Sequence, residues 1–374
     1  MNYNKIVVKY SEIFLKSCYV YSSFEKILIS NIKTGLKENS IKFKILRERG
    51  RIFIETKQVK KAIKILKRIF GIVSFSPSYH LKTCDIKKIQ DFVKGNYKKW
   101  IKKSQTFAVR PKRVGKHNYD SQELAKLVGD VVDRKVGLKK PDVEIFVEVR
   151  NNDCYIYTEV ISGLGGLPLG SAGKVVCLLS GGIDSSVAAW LMMKRGCKIV
   201  ALYATIGKSN KAIRSVIKKL RVWHIGSDIK VFTYNQRRIL KVFNKRFYRH
   251  TCILCKRMMY KAANKLARIL KIKAIVTGES LSQVASQTID NLMVLDQASE
   301  LPVFRPLISM DKIDIINIAK KLGMNEIASK YKEECWAWPK KPKTKSKLDK
   351  VLNFEKEVEK EINATLDSLV KMPV

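Results

Sequence analysis

The stretch Ser180-Gly181-Gly182-Ile183-Asp184-Ser185-Ser186 constrains this chain more than any other. It follows a short apolar run, Lys174-Val175-Val176-Cys177-Leu178-Leu179, of buried-strand type. It precedes Val187-Ala188-Ala189-Trp190-Leu191-Met192-Met193, which reads as a helix stopped at Gly196. A strand, a glycine turn and a helix start are thus joined in that order. Paired glycines let the backbone approach a ligand closely. Ser180, Ser185 and Ser186 add hydroxyls beside the free N–H groups at the positive end of the helix dipole, a site suited to phosphate. Asp184 stands where it caps the helix or helps hold a metal on the phosphates. The nearest Walker-type candidate, Gly170-Ser171-Ala172-Gly173-Lys174-Val175, lacks both the glycine spacing and the Ser/Thr after lysine.

With 374 residues, 46% of them hydrophobic, the chain has material for two or three domains with their own cores. Seventy-four Lys and Arg against 33 Asp and Glu give a formal charge of +41, far more than solubility needs, and point to a polyanionic partner, nucleic acid first. No run approaches the ~18 consecutive apolar residues of a membrane span. Met1-Asn2-Tyr3-Asn4-Lys5 leads into a strand-like run rather than a signal peptide, so a cytoplasmic location with no membrane partner is expected. Eight cysteines in such a chain read as reduced thiols or a metal centre. Cys18, Cys84, Cys154, Cys177 and Cys197 stand singly and read as small core residues.

In chain order, Lys5–Lys9, the helical stretch Phe24–Ile32, paired strands at Phe43–Leu46 and Arg51–Glu55, a helix over Ala62–Phe70 and a strand at Ile72–Phe75 give β-α-β-β-α-β, a ferredoxin-like unit. Pro77 is read as a boundary. A helical stretch from Cys84 to Lys99, a strand over Thr106–Arg113, a helix over Ser121–Val136, and strands at Glu144–Arg150 and Cys154–Val160 follow. Here Arg110, Lys112, Arg113 and Lys116 lie among Trp100, Phe107 and Tyr119, and these cations are candidate RNA-phosphate contacts. From Lys174 onward, strands at Lys198–Tyr203, Ile229–Thr233 and Lys273–Thr277 alternate with helices near 210–222, 235–248 and 256–270. This predicts a doubly wound parallel sheet with the glycine turn at a strand carboxyl end. In the tail, apolar residues from Leu348 to Leu369 recur at helical spacing. They predict a helix packed on this last domain, with a homodimer contact as the alternative.

Cys252 and Cys255 form a C-x-x-C at a helix start, and Cys335 lies in Glu333-Glu334-Cys335-Trp336-Ala337-Trp338-Pro339. Zinc on three thiolates plus His250, a redox dithiol and an iron–sulfur cluster with one iron free of protein ligands all fit; spacing alone favours zinc. His80, His117 and His224 have no partners at metal or triad spacing.

The glycine turn resembles the PP-loop, S-G-G-x-D-S, of ATP pyrophosphatases, which adenylate a substrate by splitting ATP between the α and β phosphates. The segments Phe107–Arg110 with Arg113-Val114, Lys139–Glu144, Glu148–Arg150 and Gly165–Gly170 are similar to a THUMP domain, an RNA-binding module of tRNA-modifying enzymes. Taken with Tyr10–Lys16, Gly278–Thr288, Arg305–Lys312 and Pro339–Thr344, these blocks resemble the tRNA 4-thiouridine synthetase family over essentially the whole chain. The resemblance implies three domains: ferredoxin-like (1–75), THUMP (76–168) and PP-loop (172–374). ATP with Mg²⁺ would sit on Ser180, Gly181, Gly182, Asp184, Ser185, Ser186, Gly278 and Gln287. Asp184, Lys312 and Cys335 would serve activity, and a [4Fe-4S] cluster would be held by Cys252, Cys255 and Cys335, as in archaeal-type relatives. The partners implied are tRNA and a sulfur donor, either sulfide or a cysteine desulfurase. Ending at Val374, the chain is expected to lack the rhodanese domain that bacterial members often append. Ser186 replaces a frequent Pro, and Gly323-Met324 a frequent Gly-Thr. The implied activity is replacement of O4 of uridine 8 by sulfur. The alternatives are a PP-loop sulfurtransferase for thiamine thiazole or 2-thiolated bases, and a non-catalytic RNA-binding protein.

Overall fold

The structure, a computed structural model, describes residues 3–10, 13, 17–207, 209–331 and 335–373. Of the block at 10–16 only Tyr10 and Ile13 are therefore described, and Glu333-Glu334 lie outside. Two compact units follow one another, Met1–Gly166 and Leu167–Val374. No helix among the described residues is long and apolar enough to cross a membrane.

The first unit runs β1 (Lys5–Lys9), α1 (Cys18–Glu38), β2 (Lys44–Glu48), β3 (Arg51–Glu55), α2 (Val59–Leu66), β4 (Ser74–Leu81), α3 (Ile86–Trp100), β5 (Phe107–Val114), α4 (Ser121–Asp130), β6 (Val143–Arg150), β7 (Asp153–Tyr157) and β8 (Ile161–Ser162). The ferredoxin-like β-α-β-β-α-β order is present, yet its last strand does not end the sheet. Strands are ordered β2-β3-β1-β4-β7-β6-β5 in one sheet, with β8 on β4. The first half of β4 pairs with β1, Ile6 opposite Pro77, and its second half with β7, Tyr79 opposite Ile156. Pro77, expected at a boundary, lies inside a strand that both halves share. A buried ion network crosses the same seam: Glu148 on β6 takes Arg51 of β3 at 3.0 Å and Arg150 at 2.7 Å. Burial pushes the Glu148 carboxyl up, but the two guanidiniums outweigh it and hold it below the usual range. Asp85 and Asp120 start α3 and α4 by accepting from the backbone N–H of Lys88 and Glu123. The helix expected over Ser121–Val136 stops at Asp130.

The second unit holds β9 (Lys174–Leu179), α5 (Ile183–Lys194), β10 (Lys198–Thr205), α6 (Lys211–Arg221), β11 (Val231–Asn235), α7 (Arg237–Arg246), α8 (Thr251–Leu270), β12 (Ile275–Val276), α9 (Ile289–Asp296), β13 (Val303–Phe304), α10 (Lys312–Leu322), α11 (Asn325–Lys330), α12 (Leu348–Glu357), α13 (Glu359–Asp367) and β14 (Val370–Lys371). Its sheet is ordered β13-β12-β9-β10-β11-β14, parallel except for β14. Val175, Val176, Ile199, Val200, Ala201, Leu202, Ile275 and Val276 are all buried, as strands covered on both faces require. From β9 the chain winds outward through β10 and β11, then returns through α8 to β12 on the other side of β9. The carboxyl end of β9 is thus the switch point, where such sheets bind ligands.

The tail does pack on this domain, Val351, Val358 and Ile362 joining its core, but as two helices broken at Val358 rather than one. Helix α8 begins at Thr251, so the C-x-x-C of Cys252 and Cys255 opens it as expected. Of the solitary cysteines, Cys154, Cys177 and Cys197 are buried as expected, whereas Cys84 is half-buried and Cys18 exposed.

Arg257, 1% exposed in the middle of α8, is held by Glu355 of α12 through Nε at 2.8 Å and Nη2 at 2.9 Å. Removing the carboxylate strands a buried cation. Glu355→Ala should lower stability by about 3–5 kcal/mol in denaturant unfolding. Burial raises the Glu355 carboxyl, but Arg257 and Lys261 outweigh it and depress it. Its contribution should therefore be complete above the ordinary carboxylate range and fade as pH falls through the depressed value, a loss that a pH series of unfolding curves reads directly.

Candidate active site

The β9–α5 turn is braced by its own serines. The Ser180 backbone N–H donates to Ser185 Oγ at 3.1 Å, the two hydroxyl oxygens lie 2.9 Å apart, and the Gly182 N–H donates to Ser180 Oγ at 3.2 Å. Gly182 caps α5 with an extended backbone and no side chain, leaving the helix N-terminus clear. Two glycines are required by space. A Cβ on Gly181 would lie 2.7 Å from the Ala212 Cβ of α6, and one on Gly278 would lie 2.6 Å from the Ser185 nitrogen. The chain leaving β12 thus packs directly on the first turn of α5. Ser186 departs from expectation: its side chain is fully buried and its hydroxyl donates to the Gly182 carbonyl at 2.7 Å. It braces the turn from behind, and Ser180 and Ser185 carry the exposed hydroxyls.

Asp184, on the first turn of α5, is gripped from both sides. Lys312, the first residue of α10, donates to Oδ1 at 2.6 Å, and Gln283 donates to Oδ2 at 3.1 Å. The family resemblance implies that Asp184 and Lys312 both serve activity, and the fold places them in contact across 128 residues. Gln283 is not anticipated. It is presented by Ser282, whose φ of 60° is left-handed and whose N–H donates to the Gln287 carbonyl at 2.9 Å. Gln287 itself is 7% exposed, and its side-chain Oε1 is buried without a hydrogen-bond partner among the described residues. A buried acceptor without a donor suits an amino group of a ligand.

Beside this loop lies a second unforeseen network. Glu279 accepts from Tyr260 at 2.8 Å, Thr277 at 3.0 Å, Lys256 at 3.1 Å and Arg305 at 2.8 Å. Burial pushes its carboxyl up, and Lys256 and Arg305 more than reverse that. Lys256 follows Cys255 directly, so the network ties the loop after β12 to the start of α8.

Cys252 and Cys255 occupy the first turn of α8, and Cys335 lies close enough to both to act on their ionisation. Helix N-termini favour thiolates in general, but here burial dominates. It raises the Cys252 thiol, and together with Cys335 it pushes Cys255 up to about 12. Gln236 donates to the Cys255 sulfur at 2.8 Å, a bond that favours the charged form. Among the described residues no three His, Cys, Asp or Glu side chains stand close enough to form a ready-made metal centre. Gln236 and Lys256 are the groups that favour a thiolate at Cys255 against burial. His250 turns elsewhere, edge-on to Phe354 at 5.2 Å, its pKa lowered by burial and then by Lys350, Lys343 and Arg249.

In the first unit, Lys112 and Lys116 are exposed on and just after β5. Arg110 is committed to Glu144 at 2.7 Å and the Leu138 carbonyl at 3.0 Å, and Arg113 reaches the Gly115 carbonyl at 3.3 Å. The interleaved aromatics are core instead of surface. Phe107 and Tyr119 are buried, and Trp100 packs against Tyr79 and Phe92.

Three family matches cover the chain: the ThiI ferredoxin-like domain over residues 5–76, the THUMP domain over 85–159, and "Thiamine biosynthesis protein (ThiI)" over 170–360. A Methanobrevibacter smithii protein named "Probable tRNA sulfurtransferase" is 40% identical over 369 residues, 94% of each chain. One of the same name from Saccharolobus islandicus is 39% identical over 364 residues, 96% of each. Among solved structures, a 4-thiouridine synthetase in complex with RNA and bound ATP superposes with a TM-score of 0.88 at 29% identity, over 99% of this chain and 100% of that one. A Pyrococcus horikoshii Ot3 protein superposes with a TM-score of 0.69 at 29% identity, over 86% of this chain and 99% of that one. With its ferredoxin-like, THUMP and PP-loop parts in this order, the chain belongs to the ThiI family.

Proposed function

We propose that the protein is an ATP-dependent tRNA sulfurtransferase that converts uridine 8 of tRNA to 4-thiouridine. The observation that carries this reading is Asp184 gripped by Lys312 and Gln283 at the mouth of a PP-loop, in a chain whose relatives bear the sulfurtransferase name and whose structural neighbour holds ATP and RNA. The +41 charge and exposed Lys112 and Lys116 supply phosphate contacts for tRNA.

The residues divide the work. Ser180, Gly181, Gly182 and Ser185 offer hydroxyls and backbone N–H groups to the phosphates of ATP, with Gly278 keeping the neighbouring loop close and the Gln287 oxygen available to the base. Uridine O4 attacks the α-phosphorus, and pyrophosphate leaves. Lys312 offsets the charge that builds on the phosphates, and Asp184 orients the nucleotide or the Mg²⁺ that accompanies it. Sulfide then attacks C4, the C4–O4 bond breaks, and AMP departs with the former O4. Cys252, Cys255 and Cys335 would hold a [4Fe-4S] cluster, which when bound supplies an iron without a protein ligand for carrying sulfide. Gln236 and Lys256 favour thiolates there against the effect of burial.

Incubation of tRNA with the protein, Mg-ATP and sulfide should give 4-thiouridine, read by its near-ultraviolet absorbance. Asp184→Ala and Lys312→Ala should each lower the rate at least about a hundredfold; undiminished product with Asp184→Ala sinks the assignment. Gln283→Ala should keep the fold but lose roughly ten- to a hundredfold in kcat/KM, because the carboxylate is then held from one side only. Anaerobic purification should give a brown protein with iron and acid-labile sulfide, both lost in Cys252→Ser, Cys255→Ser and Cys335→Ser. Stoichiometric zinc without iron would overturn the cluster assignment.

A further inference from the structure

The segment after Cys335 has no assigned role, and its chemistry is distinctive. Trp336 and Trp338 are 47% and 54% exposed, a large apolar area to leave in water on a short loop. Among the described residues neither ring packs on another aromatic ring or beneath a cation. Lys340, Lys341 and Lys345 follow, all exposed.

The loop is nevertheless fixed. The Trp338 N–H donates to the Cys335 carbonyl at 3.2 Å, and buried Ala337 between the two indoles accepts from Asn244 of α7 at 3.0 Å. The Lys340 N–H donates to the Tyr248 hydroxyl at 2.9 Å, Arg249 donates to the Lys341 carbonyl at 3.2 Å, and the Lys343 N–H returns to the Arg249 carbonyl at 2.9 Å. Farther on, Thr288 donates to the Thr344 carbonyl at 2.6 Å, which ties the strap to the start of α9. The Trp336 indole N–H points to the Ile206 carbonyl at 3.4 Å, just beyond the carboxyl end of β10. Strand β10 is the neighbour of β9, so this indole, next in the chain to Cys335, stands on the same rim of the sheet as the PP-loop.

Exposed indoles on a tethered backbone, followed by exposed lysines, are what binding of unstacked nucleotides requires: ring faces for bases, cations for phosphates. The first unit cannot supply such faces from Trp100, Phe107 or Tyr119, which are committed to its core. Resting on the RNA-substrate reading above, we propose that Trp336 and Trp338 form a stacking platform for an unstacked base of the RNA at the rim of the ATP site, with Lys340, Lys341 and Lys345 on the adjoining phosphates. The platform would hold a base already out of its helix next to the reacting atoms. It would thereby add selectivity that phosphate contacts alone do not give.

Filter binding of an unmodified tRNA transcript to the full-length protein across a salt series tests this. The Trp336→Ala/Trp338→Ala double variant should bind roughly tenfold or more weakly at every salt concentration, with the salt slope unchanged. Trp336→Phe/Trp338→Phe should restore most of the affinity, which a merely structural role of the indoles would not predict. The triple change of Lys340, Lys341 and Lys345 to Ala should instead lower the slope by about two. Circular dichroism and thermal midpoints identify any variant that fails to fold, and the phenylalanine pair then carries the test against the single alanine changes. Tight binding by the folded double-alanine variant overturns the platform while leaving the sulfurtransferase reading intact. So does normal tRNA binding with product lost only when sulfur comes from a protein persulfide instead of inorganic sulfide, which would make the strap a docking surface for a protein donor. An unaltered protein that does not bind tRNA at all overturns the reading on which the platform rests.

Discussion

The pairing of Asp184 with Lys312 is the contact on which the arrangement of the second unit turns. Lys312 joins Asp184 at 2.6 Å, so the carboxylate that opens α5 does not stand there as a bare charge. The contact exists because the sheet reverses direction at β9. That reversal brings the loop after β12 and the start of α10 beside a helix separated from them by about a hundred residues of chain. Gly278 makes the approach possible, since any side chain there would collide with the backbone at Ser185.

Helix α8 is the second organising element. Its first turn carries two thiols, Tyr260 and Lys256 reach the buried Glu279, and Arg257 is locked by Glu355 from the tail. The tail is thus part of what holds the thiol-bearing helix in register with the nucleotide-side loop. The charged groups on α8 that are withdrawn from water are paired, which keeps their burial tolerable.

Much of this was legible in the residues. The PP-loop could be read because a buried parallel strand is a short apolar run and a phosphate turn needs glycine and hydroxyls at fixed offsets. Asp184, Lys312 and the three cysteines are singled out by motif and resemblance. Gln283 was not legible: it depends on a left-handed Ser282, which no local pattern announces, and on a loop brought near by the sheet reversal. Nor was the inward turn of Ser186, because a hydroxyl at a helix start serves equally well as ligand or brace. Trp100, Phe107 and Tyr119 misled for a related reason. Aromatic residues among lysines mark either a nucleic-acid surface or an amphipathic core edge, and only packing decides between them. The tail periodicity continued through Val358, where the backbone turns out of the helix without a proline or glycine to signal it.

Strand β4 decides how the front of the molecule holds together. Because one strand lends its first half to β1 and its second to β7, and Glu148 binds an arginine from the ferredoxin-like half, neither half keeps a finished sheet without the other. Cutting at Pro77 would leave raw strand edges, the kind of surface that recruits other chains, and take from the buried Glu148 one of its two arginines. The two halves, distinct as sequence families, thus form one compact unit whose solubility depends on both.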